Sequence, residues 1–188
     1  MSSIMRMKWE SDFEDGGTEW YVDGRVDVVY FAGHGSPLKF HFGVDHDTQG
    51  DYPYMVYAPE AKWGDWDGDL EWVVLHACQC LHESYYTGWY YVFEGVHGIF
   101  GFHTITWGAN LGDIFAGYIL QGLPALEAWQ RATKDAFPSY VYAAIYRAAI
   151  RIDTFVIDYA DEPVGAGWSD YGDPYVYLYG LRYTKWAC

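Results

Sequence analysis

The amino-acid sequence predicts an α/β fold: a three-layer domain on a small, mostly parallel sheet, with strands added at the C-terminal end. Two short apolar runs, at residues 26–32 and 72–77, indicate strands buried on both faces, because they lack the alternation of half-exposed strands. Two stretches with helical periodicity, at residues 110–122 and 124–137, follow them along the chain, and Pro138 ends the second.

The N-terminal part of the chain, apart from the first apolar run, is expected to form connecting segments and to add little to the hydrophobic core. Residues 1–25 are polar and acidic and predict an extended or hairpin entry to the first core strand. Residues 33–69 predict a long loop with two short strand-like pieces, at 38–44 and 54–58, and a loop of this length is usually functional or mobile. Its acidic end, at 65–69, predicts a turn and falls short of a calcium-binding loop, because the twelve-residue spacing is missing.

The rest of the chain is expected to complete the core. Residues 98–104 predict a third core strand, preceded by a short helix around 89–93. The stretch 143–152 is ambiguous, because its alanines favour a helix and its Tyr, Val and Ile favour a strand; we predict a strand. Residues 158–174 predict a loop, and residues 175–186, which are aromatic and β-rich, predict a closing strand.

Length, composition and charge limit the class of protein. The 188 residues fit one domain over residues 1–188, and 51% hydrophobic residues exclude a disordered chain. Since 26 acidic residues oppose 11 basic ones, the net charge of −15 argues against nucleic acid and anionic membranes as partners. The 19 Tyr and 10 Trp suit an aromatic-rich groove or a contact between identical subunits, and both interpretations stay open.

The cysteine count and the N-terminal residues bear on location. Three cysteines, an odd number, do not suggest a disulfide framework, so a reducing compartment is the default. The first residues lack the apolar segment of a signal peptide, and no apolar run approaches the length of a membrane span. A cytoplasmic protein is therefore expected, unless a leader has been removed.

His34 and Cys78 are the candidate catalytic residues, because each lies within two residues of the end of one of the two apolar runs. Open α/β sheets place their sites just beyond the carboxyl ends of the strands. A thiol with an imidazole in reach is the minimal apparatus of nucleophilic acyl transfer. Gly33 and Gly35 flank His34 and free the backbone to approach a substrate. The competing interpretations are a buried core cysteine and a histidine that caps a strand end.

The motifs YFAGHGS at residues 30–36 and VVLHAC at residues 73–78 resemble the paired His-Gly and Ala-Cys motifs of caspase-like (clan CD) cysteine peptidases, which include caspases, legumain, gingipain and separase. The stretch EGVHGIFGFHT at residues 94–104 is similar to one that follows both motifs in an uncharacterised microbial branch. The resemblance runs from the first strand to about Trp107 and implies a caspase-like α/β/α domain. This sequence lacks the strand–helix units that usually precede the histidine strand in that family, because residues 1–25 are too few to form them.

The resemblance also implies an activity and the roles of its residues. It implies a cysteine peptidase, or a transpeptidase, that acts on a peptide or protein substrate through a thioester and needs no cofactor. Cys78 would be the nucleophile in preference to Cys80, and His34 the general base and acid. The N–H groups of Gly35 and Cys78 would form the oxyanion hole, where donors must face the developing charge.

The substrate pocket is also implied by resemblance. Its wall is expected at the end of the third strand, at His103, Thr104 and Trp107. His76 and Gln79 occupy the regions where metacaspases and legumain-like relatives carry acidic pocket residues. Because neither is acidic here, the sequence leaves the preferred substrate side chain open.

Two alternatives to the peptidase remain at this point. One is a non-catalytic binding or assembly module that uses an aromatic-rich cleft for recognition. The other is a metal site, because Cys78, Cys80 and His82, with His34 or His76, offer the soft ligands that zinc prefers. The spacing C-x-C-x-H is not a standard zinc motif, so no metal is expected.

Overall fold

A computed structural model describes residues 12, 13, 26–42, 54–64, 70–152, 155–159 and 179–188. The predictions for the entry segment, for the acidic turn at 65–69 and for most of the loop over 158–174 therefore lie outside the described residues. The described residues form a mixed α/β fold with one large sheet and one small sheet. None of their helices is both long and apolar enough to cross a membrane.

The secondary structure follows the predicted order of elements. The short strands at 39–41 and 55–57, the third core strand, both α-helices and the alanine-rich strand fall where the sequence predicted them. The expected short helix around 89–93 is a 3-10 helix, Tyr86–Val92. In chain order the elements are β1 (Val28–Ala32), β2 (His34–Ser36), β3 (Lys39–His41), β4 (Met55–Tyr57), β5 (Trp72–His76), β6 (Gly98–Phe102), α1 (Leu111–Ile119), α2 (Ala125–Ala136), β7 (Tyr142–Ile152), β8 (Phe155–Asp158) and β9 (Tyr179–Ala187).

The large sheet joins a parallel part to an antiparallel part. Strands β1, β5 and β6 are parallel neighbours, and β7 runs antiparallel to β6. On the other edge of β7 lies β9, while β8 pairs with the last residues of β7 on the edge shared with β6. The α/β class is confirmed, but the described strands form a mixed sheet with two parallel and three antiparallel pairings, where a mostly parallel sheet was expected.

Different layers cover the two faces of the large sheet. On one face, α1 and α2 pack Phe115 and Trp129 against Phe100 of β6. The other face is covered by the small antiparallel sheet β2–β3–β4, the 3-10 helix Tyr86–Val92 and their aromatic side chains, including Phe40. Among the described residues this second layer holds no α-helix, so it differs from the expected α/β/α layering. The segment after β1 contains Pro37 and alternates polar with apolar residues, which favours short strands over a helix.

A buried ion pair ties the three C-terminal strands together. The Arg147 guanidinium of β7 donates to both carboxylate oxygens of Asp158 at the end of β8, at 2.6 and 2.9 Å. It also donates to the Thr184 hydroxyl of β9 at 2.8 Å. Only 8% of Arg147 is exposed, so these partners stabilise its buried positive charge in place of water.

Candidate active site

Strands β1 and β5 end side by side, as predicted for the two strands that precede the candidate catalytic residues. Their last parallel pair is Ala32 and His76, and the Gly33 N–H donates to the His76 carbonyl at 3.2 Å. His34 and Cys78 each lie two residues beyond that pair. The register therefore brings the backbone segments that carry the imidazole and the thiol to the same edge of the sheet.

Gly35 lies directly against the turn that carries Cys78. A Cβ atom at this position would lie 2.7 Å from the Cys80 sulfur, 2.8 Å from the Ala77 Cβ and 3.0 Å from the Cys78 carbonyl oxygen. These distances are shorter than real Cβ contacts, so only glycine fits here without displacing its neighbours. The glycine after His34 is thus required by close packing of β2 on the cysteine turn.

The chain leaves the strand geometry after His76 and forms a turn over residues 77–81. Gln79 has a positive φ of 56°, an uncommon value for a residue that is not glycine. The Gln79 N–H donates to the Thr104 carbonyl at 3.0 Å, and the Leu81 N–H donates to the Phe102 carbonyl at 3.1 Å. These bonds fix the turn against the segment that follows β6.

The Cys78 sulfur is half-buried and is held by the backbone of a single residue. Its thiol donates to the Thr106 carbonyl oxygen at 3.2 Å, and the Thr106 N–H donates back to the sulfur at 3.4 Å. The Cys78 N–H, by contrast, has no acceptor among the described residues, although the amides of Ala77 and Gln79 on either side both donate. The two bonds to Thr106 thus fix the sulfur in position.

His34 is exposed at the start of β2 and pairs with His41 of β3. The pKa of His41 lies below its ordinary value, because of burial first, and then because Lys39 and His34 place further positive charge nearby. The exposed His34 ring is therefore part of a basic group of side chains in a strongly acidic protein.

The other two cysteines have different environments from Cys78. Cys80 is fully buried, its thiol donates to the Lys39 carbonyl at 3.2 Å, and burial strongly raises its pKa. Cys188 is half-buried, and burial raises its pKa as well. Cys80 is therefore a core cysteine that packs between the cysteine turn and the small sheet.

His76, expected at a substrate pocket, lies inside the protein. Only 5% of it is exposed, and both ring nitrogens are engaged: Nδ1 lies 2.9 Å from the Tyr30 hydroxyl and Nε2 lies 3.0 Å from the Trp107 carbonyl. Burial lowers the pKa of His76, and the bond to Trp107 opposes that shift in part. His76 therefore cannot contact a substrate directly in this arrangement.

The four other predicted pocket residues lie on the cysteine turn and on the segment after β6. The Thr104 hydroxyl accepts the Tyr142 N–H at 2.9 Å, and Gln79 is bonded to the Thr104 carbonyl. Trp107 is 45% exposed and packs edge-on against Phe137. Gln79 thus directly follows Cys78, and Thr104 and Trp107 flank the segment whose Thr106 bonds the Cys78 sulfur.

His103 belongs to a second small group of side chains at the surface. Its ring stacks on His82 with 4.6 Å between ring centres, and its Nδ1 accepts the Glu83 N–H at 3.0 Å. Glu83 forms an ion pair with Lys185 of β9. The pKa of His103 is lowered by burial, then by Lys185 and His82. His103 therefore contacts the turn after Leu81.

The metal alternative finds no support in the arrangement of the possible ligands. Within the described ranges, no three His, Cys, Asp or Glu side chains come together in a way that could hold a metal ion. The two sulfurs that would have to converge are bonded to different carbonyl groups, that of Thr106 for Cys78 and that of Lys39 for Cys80.

Two residues of this neighbourhood were not anticipated from the sequence. Thr106 holds Cys78 through backbone atoms, and a backbone contact leaves no signal in the residue type. The contact of Tyr30 with His76 follows from the parallel register, which places the two residues on the same face of neighbouring strands. The two apolar runs alone do not define that register, so the sequence did not predict the contact.

Comparison with known proteins gives a family without a known function. The chain belongs to the family described as domain of unknown function DUF6345, whose model matches residues 6–172. A search of the curated proteins finds no match. The matched region spans His34 and Cys78, and the family description names no activity.

Proposed function

We propose that this member of the DUF6345 family is a cysteine peptidase, or a transpeptidase, with a caspase-like arrangement of its central strands. The observation that supports it most is the packing of Gly35 on the Cys78 carbonyl, which seats the His-Gly segment on the cysteine turn. The two segments meet at the carboxyl ends of parallel strands, where α/β folds place their sites.

In the proposed reaction, His34 takes the proton of the Cys78 thiol, and the sulfur attacks the carbonyl carbon of a peptide bond. The tetrahedral intermediate collapses to a thioester as the C–N bond breaks, and His34 returns the proton to the leaving amine. Water, or the amine of a second peptide, then attacks the thioester and releases the thiol. No cofactor enters these steps.

The oxyanion of the intermediate would be bound by backbone N–H groups of Cys78 and Gly35. The Cys78 N–H has no other acceptor among the described residues. Ser36 and Lys39 close the hydrogen-bonded turn between β2 and β3, and bonded and non-bonded pairs alternate along an antiparallel ladder. The Gly35 N–H therefore lies on the edge of β2 that faces away from β3. Two preorganised donors are the usual apparatus for such a charge.

Thr106 supports the nucleophile in this proposal. Its N–H points at the Cys78 sulfur, so it favours negative charge there, while its carbonyl accepts the thiol proton in the resting state. Together they hold the sulfur in one position before the substrate arrives, which is how preorganised sites avoid the cost of ordering a side chain.

The substrate would be a peptide or protein, and the basic side chains beside His34 would meet its polar backbone. Gln79, Thr104 and Trp107 are proposed to contact the residues next to the scissile bond. The net charge of −15 remains unfavourable for nucleic acid or an anionic membrane.

The test is digestion of a mixed peptide library, with new termini read by mass spectrometry. The wild type is expected to produce cleaved or newly joined peptides, and His34→Ala and Cys78→Ala to produce none. Cys188→Ala, which removes the half-buried thiol directly after β9, is the matched control and should keep the activity. Absence of new termini with the wild type, or their persistence in Cys78→Ala, would remove the peptidase.

A non-catalytic binding module is the second candidate, and one observation favours it. Apolar side chains are exposed beside the site: 65% of Ile105, 45% of Trp107 and 71% of Tyr140 are accessible. Exposed aromatic residues in a group are typical of recognition surfaces. In the library experiment this module would retain peptides without cleaving them, and His34→Ala would leave the retained set unchanged.

A further inference from the structure

We propose that His76 is a positioning residue for the Cys78 nucleophile, acting from inside the protein through the segment that holds the sulfur. The inference rests on the proposed function, because it assigns a role toward the same thiol. It also reassigns a residue that the resemblance placed at the substrate pocket.

The protonation state of His76 follows from its partners. The Trp107 carbonyl can only accept a hydrogen bond, so Nε2 of His76 carries the proton. In a neutral ring Nδ1 is then the acceptor, and the Tyr30 hydroxyl donates to it. Burial raises the pKa of Tyr30, and Asp113 raises it further, so this hydroxyl keeps its proton. The chain of donors therefore runs in one direction, from Tyr30 through His76 to Trp107.

This chain of hydrogen bonds ends next to the nucleophile. Trp107 directly follows Thr106, whose N–H and C=O are the two groups that hold the Cys78 sulfur. His76 also lies two residues before Cys78, at the end of β5. It is thus joined to Cys78 by two routes, one along the chain and one across to the segment that contacts the sulfur.

The surroundings of His76 make the position rigid. Its ring packs against Phe102 and Phe137 at 5.6 and 5.8 Å between ring centres, and the Trp107 ring packs on Phe137 at 5.3 Å. Residues 105–109 form no helix or strand, and the bond from His76 holds this segment to the core at the Trp107 carbonyl. Losing that bond would leave the carbonyl without its donor and release the segment from the cysteine turn.

Two substitutions separate the two bonds of His76. His76→Gln can place an amide N–H where Nε2 stands and keep the bond to Trp107. His76→Asn is shorter and can keep only the partner of Tyr30. Both variants lose the imidazole and its packing, so a role limited to the packing of the ring would affect them alike. A role in positioning the nucleophile requires the Gln variant to retain what the Asn variant loses.

The experiment measures the rate at which iodoacetamide alkylates Cys78 as a function of pH, resolved by peptide mass spectrometry. Near neutral pH the rate for His76→Asn is expected to fall about tenfold, which corresponds to roughly 1.4 kcal/mol, the scale of one lost hydrogen bond. His76→Gln should stay within about threefold of the wild type, a difference of under 1 kcal/mol. Cys80, fully buried in the core, should stay unlabelled in both and reports that the fold is intact.

Equal losses in the two variants, an unchanged rate in His76→Asn, or labelling of Cys80 as fast as Cys78 would overturn the positioning role. His34→Ala, measured in the same way, tests the dyad separately. If His34→Ala leaves the Cys78 rate unchanged, the proposed peptidase chemistry fails. The contrast between Gln and Asn at position 76 then still decides whether His76 positions the sulfur.

Discussion

The Cys78 sulfur is held between both backbone groups of Thr106, with its thiol donating to the carbonyl and the N–H donating back. A residue 28 positions away along the chain thus fixes the sulfur without using its side chain. This contact separates Cys78 from the other two cysteines, which have no such paired contact with one residue among the described hydrogen bonds.

The reactivity of the three thiols should follow these environments. We expect Cys78 to react with iodoacetamide first, Cys188 more slowly and Cys80 last. Cys80 is fully buried, and burial raises the pKa values of both Cys80 and Cys188, which lowers their thiolate fractions near neutral pH. Mass spectrometry of partially labelled protein gives the order. Even labelling of all three sites would contradict it, and full labelling in denaturant provides the reference.

Gly35→Ala should destabilise the protein by about 1–3 kcal/mol, the usual cost of overpacking. The added methyl group would meet the Cys80 sulfur, the Ala77 Cβ and the Cys78 carbonyl, all at 3.0 Å or less. Urea denaturation measures the free energy of unfolding.

The matched control is Gly117→Ala in α1. A Cβ at Gly117 has nothing within 4 Å, so alanine there should stabilise the protein by up to about 1 kcal/mol through its higher helix propensity. Opposite signs at the two glycines would support the packing of β2 on the cysteine turn. A neutral Gly35→Ala variant would show that the turn moves freely away from β2.

The alanine-rich strand shows how far local sequence could predict the fold. Residues 143–149 are all buried within the large sheet. They form a strand because of tertiary contacts, which the intrinsic propensities of the residues do not describe. The strands β5 and β6 were easier, because strands buried on both faces are apolar throughout. Strand β1 is equally apolar, but only Val29 and Phe31 are buried and Ala32 is exposed, so the expectation of burial on both faces was wrong for this strand.

The candidate site divides in the same way. The ends of β1 and β5 could be predicted, because the apolar runs stop at His34 and Cys78. The positive φ of Gln79 could not be predicted, since it is imposed by hydrogen bonds to the segment after β6. The contact of Thr106 with the sulfur could not be predicted either, because it uses backbone atoms alone. His76 was assigned to the substrate pocket from its position in the motif, and that position does not reveal its hydrogen-bond partners.

Removing Asp158 should cost about 3 kcal/mol or more of folding stability. Asp158→Ala would leave the Arg147 charge in a site where only 8% of that residue is exposed, and breaking one side of a buried ion pair is strongly destabilising. Glu127→Ala removes the partner of Arg131 in an exposed pair on α2 and should change stability by about 0.5 kcal/mol or less. Thermal or urea denaturation of both variants compares the two pairs, and equal effects would contradict the structural role of the buried one.

The stability of the protein should fall as the pH drops below about 6.5, the ordinary pKa of histidine. The pKa values of His76, His41 and His103 are all lowered in the folded protein, each by burial as the largest cause. The unfolded chain therefore takes up protons at a higher pH than the folded one. Each such group contributes stability that is full above 6.5, declines as the pH falls and levels off below its folded pKa.

His76 should account for a measurable part of that decline. Its ring is faced by the Tyr30 hydroxyl, the Trp107 carbonyl and the rings of Phe102 and Phe137, and none of these groups carries a negative charge that would favour the imidazolium. His76→Gln removes the titrating group and should flatten the dependence of unfolding free energy on pH between 6.5 and the acid range. For one group the slope is at most about 1.4 kcal/mol per pH unit. Urea denaturation of both proteins at several pH values gives the two slopes, and identical slopes would mean that His76 does not titrate differently in the folded and unfolded states.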